Sequence, residues 1–124
     1  MADNLTLGRL GEQETVSYYE SQGYRVLARN WRRREGEIDL ILGNNHRYVF
    51  CEVKTRTSEH FGSPAQAVSM AKRKRIRFLA SRWLADEAPG FAREIRFDVS
   101  CVTFATSDAS KQGSAVVEIL EGVF

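Results

Sequence analysis

The feature that most restricts how this chain can fold is a pair of strand-like runs, Gly36-Glu37-Ile38-Asp39-Leu40-Ile41 and Val49-Phe50-Cys51-Glu52-Val53-Lys54, separated by Gly43-Asn44-Asn45-His46. Apolar residues crowd both runs and the link is strong turn chemistry, so the two should pair as a β-hairpin. Strand alternation puts Glu37, Asp39 and Ile41 on one face of the first arm, and Phe50, Glu52 and Lys54 on one face of the second. A two-residue turn at Asn45-His46 sets Asp39 directly opposite Glu52; a turn at Asn44-Asn45 sets it diagonally. Either register leaves the two acids on the same side, roughly 5 to 8 Å apart between Cβ atoms. Carboxylates among Ile, Val and Phe are unfavourable without a cation or hydrogen bonds to compensate them. A hard divalent ion, magnesium or manganese, with Lys54 beside it, is the simplest supply of that positive charge.

The remaining pattern frames this hairpin. A helix is expected from about Leu5 to Gln22, capped by Asp3 or Asn4 and closed by Gly23. At about 100 degrees per residue, Leu5, Gly8, Glu12, Val16 and Tyr19 share a side, which leaves Glu12 on the core-facing stripe between Gly8 and Gly11, where another backbone can approach. Read alone, such an acid more often caps a local group or sits at the stripe's edge. Leu10 falls on the opposite side and calls for a second contact surface. Tyr24 to Arg29 reads as a strand, followed by the basic segment Arg29-Asn30-Trp31-Arg32-Arg33-Arg34. After the hairpin, a loop from Thr55 to Ser63 leads to a helix from about Pro64 to Asp86. Its apolar stripe is Ala65, Val68, Ile76, Leu79, Ala80, Trp83 and Leu84, with Arg73, Lys74 and Arg77 on the other side. Lys72 falls within the stripe, where its stem can run along the core to water or its amine can reach the acids. Ile95 to Phe104 and Ala115 to Leu120 complete the strands. Asp98, between Phe97 and Val99, reads as a satisfied structural carboxylate at least as readily as a catalytic one.

The 124 residues suit one domain, spanning 1–124. Its expected architecture is α/β, with a mixed, mostly antiparallel central sheet flanked by two main helices in the order αβββαβ plus a C-terminal strand, and the acidic hairpin near one sheet edge. The net charge of +2 is too small to imply a partner, so the clustering of cations matters more. Cys51 and Cys101 sit inside apolar runs and read as small buried residues rather than a disulfide. No basic segment followed by an apolar stretch opens the chain, and no run is long and apolar enough to span a bilayer, so the expected location is cytoplasmic.

An acid on one strand, an acid and a lysine two residues apart on the next, and an acid from a helix suit metal-dependent phosphodiester hydrolysis, with the lysine orienting water or steadying charge. Acyl transfer fits poorly, because neither His46 in its turn nor His60 in its loop stands beside a nucleophile. There is no Gly-rich phosphate loop. Arg32, Arg33 and Arg34 with Trp31, and Arg73, Lys74 and Arg77, could neutralise phosphates, with Trp31 stacking on a base; each run is equally well read as a solvated face.

The set Gly8-x-x-Gly11-Glu12, Arg29-Asn30-Trp31-Arg32, Gly36-Glu37-Ile38-Asp39-Leu40-Ile41, Phe50-Cys51-Glu52-Val53-Lys54-Thr55-Arg56, Phe61-Gly62, Lys72 and Arg96-Phe97-Asp98-Val99 resembles the YraN-type uncharacterised bacterial family over nearly the whole chain. That family is similar to archaeal Holliday-junction resolvases and the PD-(D/E)xK nuclease superfamily, which implies a restriction-endonuclease-like core. By this resemblance Asp39 is the first acid, Glu52 and Lys54 are the E-x-K pair, and Glu12 is the helix-borne acid. Ile38 stands where the superfamily's proline would precede the acid, and Cys51 replaces a more usual aliphatic residue. The resemblance implies an endonuclease in which Asp39, Glu52, the Val53 carbonyl and Glu12 hold Mg2+ or Mn2+, and Lys54 positions the attacking water. Arg56 and Lys72 are then candidates for the scissile phosphate, and DNA, branched or single-stranded, is expected before RNA. Two alternatives stay open: a nucleic-acid-binding module of the same fold without turnover, and an interaction subunit of a DNA-processing complex. Resolvase-like folds often pair, so a homodimer through the last strand's edge is a further expectation.

Overall fold

A computed structural model describes residues 4–57, 68–90, 94–105 and 115–124, and the side chains of all of these but 4 and 5. The elements are α1 (Asn4–Ser21), β1 (Arg25–Arg33), β2 (Gly36–Gly43), β3 (Arg47–Thr57), α2 (Met70–Asp86), β4 (Glu94–Phe104) and β5 (Val116–Leu120). They form an α/β fold with a five-stranded mixed sheet in the order β1-β2-β3-β4-β5. Only β3 and β4 run parallel; the other three neighbouring pairs are antiparallel. A parallel pair needs a crossover, and α2 lies on the connection between those strands. That crossover sets β4 beside β3 and buries the acidic hairpin in the middle of the sheet. The expectation of a hairpin near a sheet edge is therefore corrected.

The two helices cover opposite faces. Val16 and Tyr19 of α1 pack on Leu40, Leu42, Val49 and Cys51, whereas Ile76, Leu79, Ala80 and Trp83 of α2 pack on Ile41, Tyr48 and Phe50. Coverage on both sides explains why β2 and β3 read as nearly unbroken apolar runs. Removing each such side chain from water contributes about 1.5–3 kcal/mol.

Several expected boundaries move. β1 continues through the basic segment, because Arg32 and Arg33 pair with Glu37 and Gly36. β3 likewise continues through Thr55–Thr57, which pair with Val102–Phe104 of β4, so a loop does not begin at Thr55. α2 starts at Met70 with Ser69 as its cap, the Ser69 hydroxyl accepting from the Lys72 amide at 3.2 Å. Pro64, Ala65, Phe61-Gly62 and His60 lie outside the described residues, as does Asp3.

On α1 the buried stripe is rotated from the expected one and centres on Leu7, Gly11, Thr15, Val16 and Tyr19. Gly11 is the contact point: a Cβ there would collide with the Thr55 side chain, whereas Gly8 faces open space. Thr15 hydrogen-bonds to the Gly11 carbonyl at 2.8 Å and to the Ser100 hydroxyl at 2.7 Å. Leu10 finds its second surface against the small cluster of Leu7, Val102 and Phe104. Gly23, at φ 89°, turns the chain from α1 into β1. Cys51 and Cys101 are both buried and unpaired. Among the described residues no helix is long and apolar enough to cross a membrane.

Candidate active site at the fork of the sheet

The hairpin turn decides the register. Asn44 Oδ1 accepts from the amides of His46 and Arg47, both at 2.8 Å, and the Asn44 amide donates to the Arg47 carbonyl. This leaves Asn45-His46 as the turn, and the pairs Gly43↔Tyr48 through Leu40↔Cys51 follow. One further step sets Asp39 opposite Glu52. There the β2–β3 ladder stops, although β2 runs back to Gly36 and β3 runs on to Thr57. Beyond this point β2 stays with β1, and β3 with β4, so the sheet forks. At the fork the Val53 amide, which has no strand partner from β2, donates to Asp39 Oδ2 at 2.8 Å.

Three other groups converge on the same spot. Glu52 is 5 % exposed and shares the α2 face with Phe50. Lys72, on the first turn of α2, forms an ion pair with Glu52 Oε1, and Lys54 Nζ lies 3.9 Å from that oxygen. Of the two fates open to Lys72, its amine reaches the acids. Burial, reinforced by the charge of Glu52 and more weakly of Glu12, pushes Asp39 up to about 7, against the opposing pull of the Val53 amide and Lys72. Burial and the neighbouring Lys72 hold Lys54 below the ordinary lysine value. Burial would lower Lys72 too, but its contact with Glu52 outweighs that and holds it above.

Glu12 approaches from the α1 side, where Asn30 Nδ2 donates to Glu12 Oε2 at 3.1 Å. Asp39 stands between the two faces. It lines a 420 Å³ cavity with Gly8, Arg9, Glu12, Asn30, Arg32 and Glu37 on the α1 side. It also lines a 160 Å³ cavity that includes Glu52, Lys72 and Arg75 on the α2 side. Among the described residues no three acid, imidazole or thiol groups form a ready-made metal cage. What the fork does offer is two facing carboxylates, one of them destabilised by the other's charge. This is an electrostatic demand that a hard cation satisfies.

The expected nucleic-acid contacts fare unevenly. Trp31 is 8 % exposed and packs in the α2-side core, its indole N–H donating to Glu87 at 2.6 Å. It is not free to stack on a base, which corrects that expectation. The reason is that β1 continues through the basic segment and packs Trp31 under α2, while Arg32 and Arg33 stay exposed. Arg33 lies over the Trp31 ring at 4.1 Å and pairs with Glu87. Arg32 pairs with Glu37 at the larger cavity, and Arg34 is exposed in the β1–β2 turn. Arg56 bonds Thr103 across the β3–β4 pair. Arg73 is half-buried, bonding the Val68 carbonyl and lying near Phe124, whereas Lys74 and Arg77 are exposed. Sequence reasoning gave no role to Asn30, Arg9 or Arg75. The i, i+3 spacing of Arg75 from Lys72 was the one available signal for it.

Asp98 takes the structural role. It is fully buried on the α1 side and accepts from the Tyr19 hydroxyl at 2.6 Å, Arg96 Nε at 2.8 Å, Arg96 Nη2 at 2.9 Å and the Gly122 amide at 3.0 Å.

Residues 11–102, which contain every part of the fork except the neighbouring Gly8 and Arg9, match the model of the uncharacterised protein family UPF0102. The chain belongs to UPF0102. A UPF0102 protein of Mycolicibacterium vanbaalenii is 51% identical over 96 residues, covering 77% of this chain and 78% of the relative. One from Frankia alni is 47% identical over 118 residues, covering 95% and 93%. Another, from Rhodococcus jostii, is 46% identical over 102 residues, covering 82% and 86%. These UPF0102 relatives span nearly the same length as this chain.

Proposed function

We propose that this UPF0102 protein is a metal-dependent endonuclease that hydrolyses phosphodiester bonds in DNA, on a restriction-endonuclease-like core. The observation that carries the reading is the fork itself: Asp39 and Glu52 facing each other where the ladder ends, with the ammonium groups of Lys72 and Lys54 drawn to the same carboxylate.

Asp39 and Glu52 would hold Mg2+ or Mn2+, with the Val53 carbonyl and Glu12 as further oxygen donors. When bound, such an ion supplies Lewis acidity toward a phosphoryl oxygen and acidifies a coordinated water. Asp39, which burial and the charge of Glu52 keep protonated more readily than an ordinary carboxylate, would hold such an ion in its ionised form. Lys54, its ammonium weakened by burial, orients the attacking water and can take up or return a proton at Nζ. Lys72, held at the fork by its ion pair with Glu52, would neutralise a non-bridging phosphate oxygen. Arg75 on α2 and Arg32 on β1, one at each cavity, extend the positive charge along the backbone of the substrate. With Trp31 buried, the preference for branched or single-stranded DNA rests on the resolvase resemblance.

One observation favours a second reading. Lys72 already neutralises Glu52, so the fork is tolerable without a metal, as a nucleic-acid-binding module lacking turnover would require. Incubating the protein with branched, single-stranded and linear DNA plus Mn2+, beside Glu52→Ala and Lys54→Ala, separates the two. Cleavage confined to the unsubstituted protein supports the nuclease. Salt-sensitive binding without cleavage by any of the three selects the module, and equal cleavage by all three sinks both.

A further inference from the structure

Asn30 is the one non-glycine among the described residues with a left-handed backbone, φ 49°. It lies inside β1, between the pairs Arg29↔Leu40 and Trp31↔Ile38, and therefore across from Asp39. No turn or helix end requires that conformation there, and glycine would adopt it with least strain. Asparagine is among the few other residues that tolerate it. What asparagine adds over glycine is its carboxamide, and the carboxamide bonds Glu12 across the mouth of the 420 Å³ cavity that Asp39 also lines. That bond is solvent-exposed and has a single neutral donor, so it contributes little to folding. The strain is thus better explained by where the bond puts Glu12.

We propose that Asn30 is a positioning residue: its left-handed backbone turns the carboxamide toward α1, so that Nδ2 holds the Glu12 carboxylate on the Asp39 side of the cavity. The inference rests on the metal-dependent reading of the fork and adds a residue to it. Asn30 itself touches neither metal nor substrate; it acts through Glu12 and removes the freedom of a helix-borne side chain to swing into solvent. A supporting partner of this kind ordinarily governs metal affinity nearly as strongly as a direct ligand.

The test measures Mn2+ affinity by calorimetry for the unsubstituted protein, Asn30→Gly, Glu12→Ala, the double variant and Asp39→Asn. Asn30→Gly keeps the backbone conformation and deletes only the carboxamide. It is expected to weaken Mn2+ binding about tenfold, with the double variant no weaker than Glu12→Ala alone. Losses that multiply in the double variant would show that Asn30 acts independently of Glu12 and overturn the proposal. Unchanged affinity in Asn30→Gly while Asp39→Asn loses Mn2+ would overturn it and leave the fork's function standing. Failure of the unsubstituted protein to bind Mn2+ would remove the metal reading and this inference together.

Discussion

Two buried acidic centres lie almost side by side in this sheet, and they are built for opposite ends. Asp98 of β4 pairs in register with Cys51, and the next pair, Glu52↔Val99, carries the acid of the fork. The one-residue step sends Asp98 to the α1 face and Glu52 to the α2 face. Asp98 is itself fully buried and is met by a buried phenol, by two nitrogens of a half-buried guanidinium and by a backbone amide. Asp39 has one backbone amide, and Glu52 has two flexible lysines that approach one of its oxygens from half-exposed positions. A carboxylate whose acceptor sites are filled by fixed donors is part of the scaffold. One held by mobile cations at a break in the ladder can exchange them. The largest expected effect follows from this contrast: Asp98→Ala removes the buried acceptor of Tyr19, Arg96 and the Gly122 amide, leaves Arg96 only its longer contact with Glu121, and should cost about 3–5 kcal/mol of stability, read from urea unfolding. A loss under about 1 kcal/mol would dissolve the distinction.

The converse substitutions should spare stability and remove chemistry. If the fork is the proposed nuclease site, Asp39→Asn and Glu52→Gln should reduce Mn2+-dependent cleavage by about 10²–10³-fold, with unfolding midpoints no lower than that of the unsubstituted protein. Single-turnover kinetics on a labelled DNA checks the first half and thermal unfolding the second. If both variants unfold far below the parent while cleaving at its rate, the fork is scaffold and the comparison inverts.

The contrast also shows what could be read from the chain. Residues 36–54 disclosed the hairpin, its same-side acids and the E-x-K pair, because alternation and turn chemistry are local signals. The order αβββαβ with a final strand was legible for the same reason. Two things were not. The hairpin's central position depends on the α2 crossover, a long-range pairing that no local pattern encodes. The burial of Trp31 depended on β1 running four residues past Arg29, where the cluster of arginines could equally be read as a solvated face. The strand expected from Tyr24 to Arg29 stopped short of Asn30, whose left-handed backbone interrupts β1 without ending it, since pairing resumes beyond it at Trp31↔Ile38. The ambivalence of Asp98 was settled by Tyr19, Arg96 and Gly122, which lie far apart in sequence.

A smaller effect sharpens the scaffold side. Tyr19→Phe removes one donor from Asp98 and leaves the guanidinium and the Gly122 amide in place. Its expected cost is about 1.5–3 kcal/mol, the range for a hydrogen bond to a charged group, and it should lie below that of Asp98→Ala. Cleavage at permissive temperature should be untouched. A cleavage defect in Tyr19→Phe would mean that the two centres communicate through the strand pair they share.

The smallest effect is in pH dependence, and its sign separates the two centres. At Asp39 the folded state holds a proton that the unfolded chain has already released, because burial and Glu52 raise the folded value to about 7. Between about pH 4, the ordinary carboxylate range, and about 7, stability should therefore fall as pH rises, since the native state binds the extra proton. Asp39→Asn cannot lose that proton and still accepts from the Val53 amide. It should therefore match the parent near pH 4–5 and exceed it at pH 8 by about 1 kcal/mol, well below the full shift because Lys72 and solvent compensate part of the charge. Urea midpoints of both proteins across that window provide the measurement, and Mn2+ supplies the control. Added at pH 8, the ion should stabilise the parent and not the variant. A variant less stable than the parent at pH 8 without metal would mean that the ionised Asp39 is already satisfied by its protein partners. The fork would then need no cation, and it would belong in the same class as Asp98.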